Sequence, residues 1–118
     1  MEKFCVTLPL TGEYLTTVRL TTGGLCALVG FNVDEAEDFK VCVTESLLIL
    51  KRNGFATASI EFTITEALRC DVVGQEGAGE KQDTFEDEIS RALLCALLGD
   101  VCFEKNEKDV VEKIEFKG

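Results

Sequence analysis

Histidine is absent from this chain of 118 residues, which excludes a Ser-His-Asp triad and a Cys-His nucleophile pair. Long apolar runs are also missing. The longest, around residues 46–50, is cut by Lys51 and Arg52, far short of the roughly 20 residues that a membrane-spanning helix needs. Basic residues are scarce, 12 Lys and Arg against 22 Asp and Glu, for a formal net charge of −10. They do not cluster: Lys51 stands with Arg52, and Lys105 and Lys108 are diluted by Glu104, Glu107 and Asp109. Such a surface repels phosphate backbones and anionic lipid, so neither nucleic acid nor a membrane is an expected partner. The first residues lack the basic region, apolar stretch and small-residue cleavage site of a secretory signal, and a cytoplasmic location is expected. No C-x-x-C pair occurs. The six cysteines at 5, 26, 42, 70, 95 and 102 are widely and irregularly spaced. Most are placed on apolar faces, so reduced core thiols are expected and no metal site.

What is present is a globular composition, 46% hydrophobic and 29% charged, in a length that suits one domain over residues 1–118. Residues 4–10, FCVTLPL, alternate apolar and polar until Pro9, the pattern of an edge strand. From Gly12, the residues Tyr14, Val18, Leu25 and Leu28 recur at helical spacing, and Gly30 is the expected stop. The Gly23, Gly24 pair inside this helix is expected to allow close packing on a neighbouring helix. A second helix is announced by Asn32 or Asp34 as cap, by acids at its start and by Lys51 and Arg52 at its end. Its apolar face is Ala36, Phe39, Val43, Leu47 and Leu50. Beside that face Glu45, Ile49 and Asn53 follow one another at four-residue steps.

Residues 57–74 alternate twice around Glu66, with Ala58, Ile60, Phe62 and Ile64, then Leu68, Cys70 and Val72, which predicts an antiparallel hairpin. It leads into GQEGAGE, residues 74–80, where the glycines mark a sharp turn or a close approach to a ligand. After Asp83 or Thr84 as cap, Phe85, Ile89, Ala92, Leu93 and Ala96 predict the apolar face of a third helix that stops at Gly99. Val101 and Phe103, then Val110, Ile114 and Phe116, predict a last hairpin around KNEK. The fold class is α+β, a two-layer sandwich of a mixed, mostly antiparallel sheet with its helices on one face.

Residues 13–46 carry a resemblance. Val18, Arg19, Leu20, Gly30, Phe31, Asp38, Lys40, Val41, Val43 and Glu45 follow in order the opening of the anti-sigma factor and serine-protein-kinase branch of the GHKL ATPase superfamily. The order and lengths of the later elements are similar as well, the last 40 residues in pattern only. The resemblance implies the Bergerat, histidine-kinase-like ATP-binding sandwich. It also implies roles. Glu45 stands where the family has the carboxylate that activates a nucleophile, and Ile49 stands at the family's magnesium-binding Asn. Isoleucine offers no oxygen to a cation that demands near-octahedral oxygen ligands, so magnesium is not expected here. Asn53 falls where the branch often has His. Gln75 aligns with the Asp that receives the adenine amino group, with Gly77 and Gly79 kept; Gln still has an amide oxygen that accepts, and a register shift of one would offer Glu76 instead. The counterparts of the phosphate-loop glycines are Glu88 and Ser90, the lid is shortened, and Glu80, Glu86, Asp87 and Glu88 crowd the place with negative charge, opposite to what a phosphate clamp needs.

Two readings follow. One is a degenerate, kinase-like scaffold with no cofactor that binds a sigma factor or an anti-anti-sigma-like protein, with a homodimer suggested by the relatives. The other is a divergent serine-protein kinase that uses ATP and magnesium with Glu45 as base. Each residue also has a plain reading: Glu45 as a solvated helix acid, GQEGAGE as an ordinary loop, the acids at 86–88 as a helix start that uses the dipole.

Overall fold

The computed structural model describes residues 1–77 and 85–118. The chain runs β1 (Glu2–Pro9), α1 (Gly12–Leu28), α2 (Val33–Arg52), β2 (Thr57–Ile64), β3 (Leu68–Gly74), α3 (Phe85–Leu98), β4 (Val101–Lys105) and β5 (Val111–Lys117). This is the α+β order expected from the periodicity. The strands form one five-stranded sheet in the order β1-β2-β3-β5-β4. Every pairing is antiparallel, so the sheet is antiparallel throughout and not mixed.

Alternation along the strands separates the two faces of the sheet. Ala58, Ile60 and Phe62 of β2, Leu68, Cys70 and Val72 of β3, and Ile114 and Phe116 of β5 are buried. They meet α2, which lies across β2, β3 and β5 with α1 and α3 packed on its flanks. The opposite face carries ion pairs: Lys3 with Glu61 at 2.6 Å, Arg69 with Asp71 and Glu115 at 3.2 Å each, and Lys113 with Glu115 at 2.8 Å. Pro9 closes β1 at the sheet edge, where its missing N–H removes no ladder bond that the sheet needs.

α2 anchors the core. Asn32 Oδ1 accepts from the Glu35 backbone N–H at 2.8 Å and Glu35 Oε1 accepts from the Asn32 N–H at 3.0 Å, a reciprocal capping box. Phe39, Val43, Leu47 and Leu50 are fully buried, and Phe39 stacks in tilted geometry between Phe31 and Phe116. α1 ends at Leu28, two residues before Gly30, which takes φ +75°. Of the glycine pair in α1, Gly23 faces α2: a Cβ there would lie 3.6 Å from the Lys40 side chain, whereas one at Gly24 would meet nothing.

Two expectations are corrected. The face of α3 expected to be buried is turned outward: Phe85, Ile89, Ala92 and Ala96 are exposed and Leu93 is half-buried. The buried side of α3 is Asp87, Ser90 and Leu94. The cause lies on α2, whose polar groups at the seam require polar partners. The cysteines divide evenly, with Cys26, Cys42 and Cys70 buried and Cys5, Cys95 and Cys102 exposed, all free. Cys5 and Cys102 lie on the solvent side of edge strands, and Cys95 shares the outward turn of α3. The caps Asp83 and Thr84, and the shortened lid with Gly79 and Glu80, lie outside the described residues.

Candidate functional site

The seam between α2 and α3 gathers the polar side chains that the core excludes elsewhere. Glu45 and Arg52 are seven residues apart, two turns of α2, and so point along one side of that helix. Asp87 and Ser90 are three apart on α3 and likewise share a face. The Ser90 hydroxyl donates to Glu45 Oε2 at 2.7 Å and accepts from Arg52 Nη2 at 2.6 Å. Arg52 Nε donates to Asp87 Oδ1 at 3.0 Å. Arg91, one turn further along α3, approaches Asp87 Oδ2 at 3.9 Å.

Asp87 and Ser90 are only 2% and 3% exposed, so their polar atoms have little water to fall back on. Burying a charge without a partner costs several kcal/mol, and here each charge has one. Arg52 binds the carboxylate through one nitrogen and the hydroxyl through another, and the hydroxyl donates its hydrogen bond to Glu45. The result is a continuous hydrogen-bonded chain, Asp87–Arg52–Ser90–Glu45, that ties the two helices together. Behind it sits Cys42, one turn before Glu45. Burial pushes its thiol up to about 12, with the nearby Asp38 and Glu45 charges adding to the effect.

The remaining residues of the expected pocket are distributed as follows. Ile49 is wholly buried in the core, one turn along α2 from Glu45, and presents a hydrocarbon where a metal would need oxygen. Asn53 is 3% exposed and ends α2; its amide donates toward the Val111 carbonyl at 3.5 Å, so it is engaged with β5 and is not brought together with Glu45. Gln75 is exposed, and its backbone N–H donates to Thr57 O at 2.9 Å. Glu88 is exposed on α3. Of the expected set, the structure joins Glu45 with Ser90 directly, and Arg52 and Asp87 complete the group.

The glycines of the loop have a reason within the chain itself. Gly77 takes φ +123° and bridges Phe55; a Cβ there would run into the Gly54 carbonyl. A Cβ at Gly74 would lie 2.6 Å from the Phe55 ring. Both glycines therefore let the loop close over the 54–55 turn, and the Ala56 N–H to Glu76 O bond at 2.5 Å fixes the approach.

The residues present fit ATP and magnesium poorly. Ile49 supplies no oxygen, Glu45 is committed to Ser90, and the guanidiniums of Arg52 and Arg91 are both turned to Asp87. Among the described residues no group of three or more acids and cysteines is placed to hold a metal ion, and no helix is long and apolar enough to cross a membrane.

Arg52 and Asp87 were not foreseen as site residues. Their charge fitted the helix dipole of α2 and the helix start of α3, a sufficient explanation at the level of one helix. The signal that pairs them is the seven-residue step from Glu45 to Arg52 beside the three-residue step from Asp87 to Ser90.

No protein-family model matches the chain. It is 30% identical over 92 residues to the serine-protein kinase RsbW of Bacillus mycoides, a match that covers 75% of this chain and 58% of that protein. It is 25% identical over 91 residues to RsbW of Halalkalibacterium halodurans, covering 75% of this chain and 56% of that one. The chain thus spans little more than half the length of these relatives. Among solved structures, the RsbU and RsbW domains of Rv1364c from Mycobacterium tuberculosis superpose with a TM-score of 0.73 at 15% identity, over 99% of this chain and 32% of that one; that likeness concerns the fold. With the matched opening from Val18 to Glu45, these sequence relatives support the resemblance to the anti-sigma factor and serine-protein-kinase branch of the GHKL superfamily, and the solved structure supports the fold.

Proposed function

We propose that this chain is an anti-sigma-type regulatory protein that works by binding a protein partner, a sigma factor or an anti-anti-sigma-like protein, and has lost phosphoryl transfer. The observation that carries the reading is the closed α2/α3 seam: Glu45, the residual carboxylate, is held by Ser90, and Ile49, at the metal position, is buried hydrocarbon. A fold of this kind keeps its outer surfaces whether or not its nucleotide loops function. Cytoplasmic location and assembly as a homodimer belong to the same reading, with no cofactor.

The second reading is a divergent serine-protein kinase with Glu45 as base. It is favoured by the retained Glu45 and by the kinase name of the relatives. Calorimetric titration with ATP and ADP, with and without magnesium, separates the two, backed by the rise in melting temperature that any ligand of the native state produces. Partner binding without phosphoryl transfer predicts no heat and no shift. Saturable binding tighter than about 1 mM, with phosphoryl transfer to a protein serine that Glu45→Ala abolishes, overturns it in favour of the kinase.

A further inference from the structure

The outward face of α3 presents an uncovered apolar stripe. Phe85 is 76% and Ile89 51% exposed, and Ala92 and Ala96 continue the line at helical spacing, with Leu93 half-buried beside it. Apolar residues scattered singly on a surface need no explanation, but an aligned stripe does. Its position has a cause, since the hydrogen-bonded seam draws Asp87 and Ser90 inward and so turns the opposite side of the helix to solvent.

Among the described residues of α3, the charges beside the stripe are all of one sign. Glu86 and Glu88 are exposed and flank it on its two sides. The only cation of α3, Arg91, is turned toward Asp87 at the seam. A second copy of the chain, with the same acidic flanks and a net charge of −10, would bring like charges together. Anionic lipid and nucleic acid are repelled for the same reason. An apolar stripe between carboxylates is complementary to an apolar stripe between lysines or arginines. The size gradient adds shape: Phe85 and Ile89 stand proud at one end, while Ala92 and Ala96 let a second helix axis come close at the other.

We infer that the exposed face of α3 is a docking surface for a basic amphipathic helix of a partner protein. The inference rests on the partner-binding reading above and names the surface and the chemistry of what it takes. It is tested on the full chain with two synthetic helical peptides that share one leucine stripe, flanked by lysines in one and by glutamates in the other. Binding is followed by fluorescence anisotropy and by amide chemical shifts. The lysine peptide binds, its shifts centre on residues 85–96, and the glutamate peptide does not bind. The double substitution Phe85→Ser, Ile89→Ser weakens binding about tenfold or more, whereas Leu20→Ser, at a position 76% exposed on α1, leaves it unchanged. All three substituted side chains are exposed, so the variants fold. Shifts that map away from α3, equal binding of both peptides, or equal loss with Leu20→Ser overturns the surface. That failure is distinct from failure of the partner-binding reading, which saturable ATP binding with phosphoryl transfer overturns whatever the peptides do.

Discussion

α2 and α3 are both amphipathic by sequence, yet they dispose of their apolar stripes in opposite ways. α2 buries Phe39, Val43, Leu47 and Leu50 and leaves Asp34, Glu35 and Glu37 exposed, while α3 exposes Phe85 and Ile89 and buries Asp87 and Ser90. The difference shows that an apolar stripe buries itself only where the neighbouring surface is apolar too. Under α2 lies the sheet. Beside α3 lie Glu45 and Arg52, and their partners decide which way the helix turns. The inward side of α3 is still adequate to pack, because Leu94 is buried and Leu97 and Leu98 are partly buried along it.

The largest expected effect contrasts the two stripes directly. Phe39 is fully buried between two other rings, so Phe39→Ala removes the contacts and leaves a cavity, at about 3–5 kcal/mol. Ile89→Ala removes a side chain that is half in water and changes stability by about 0.5 kcal/mol or less. Urea unfolding of the two variants measures both. Comparable losses would mean that α3 buries its apolar face after all.

The comparison also explains what could be read in advance. The element order, the hairpin over residues 57–74 and the face of α2 were legible because each depends on local periodicity and on burial against an apolar sheet, and of the two cap candidates Asn32 and Asp34 the structure takes Asn32. The face of α3 was not. Its stripe is as regular as that of α2, and nothing within residues 85–98 says that Asp87 and Ser90 have partners more than 30 residues away. At the site, Glu45 and Ser90 were singled out separately through the resemblance, and the structure joins them. Asn53 was placed in the same stripe as Glu45, but the end of α2 turns it to β5. For the glycine-rich loop the sequence offered a sharp turn or a close approach to a ligand, and at Gly77 the φ of +123° and the nearby Gly54 carbonyl account for the glycine by the turn itself.

The next effect separates the two helices by their thiols. Cys42 on α2 is buried and its thiol is raised from 9.0 to about 12, and Cys70 beneath it is raised well above 9.0 by burial. Below pH 9.0 both thiols are protonated whether the chain is folded or not. Above it the unfolded chain releases the protons and the folded chain holds them, so stability falls as pH rises toward 12. The slope is about 1.4 kcal/mol per pH unit for each thiol. Urea midpoints between pH 8 and pH 11 follow the loss, and Cys42→Ala reduces the slope. Cys95, exposed on α3, reacts with a thiol reagent in the native protein at neutral pH, while Cys42 reacts only after unfolding.

The smallest effect tests the seam that turns α3. Ser90→Ala leaves Glu45 without the Ser90 donor and Arg52 without one of its two acceptors, in a place where both are half-buried. The expected cost is about 1–2 kcal/mol, since a hydrogen bond to a charged group is lost and its partner is left behind. Part of that cost belongs to the pair and not to the serine. In the double-mutant cycle with Glu45→Gln, the coupling energy is expected to be about 1 kcal/mol, because Gln keeps an acceptor oxygen but loses the charge that strengthens the bond. Additive costs would mean that the hydroxyl and the carboxylate act independently, and the orientation of α3 would then rest on Arg52 and Asp87 alone.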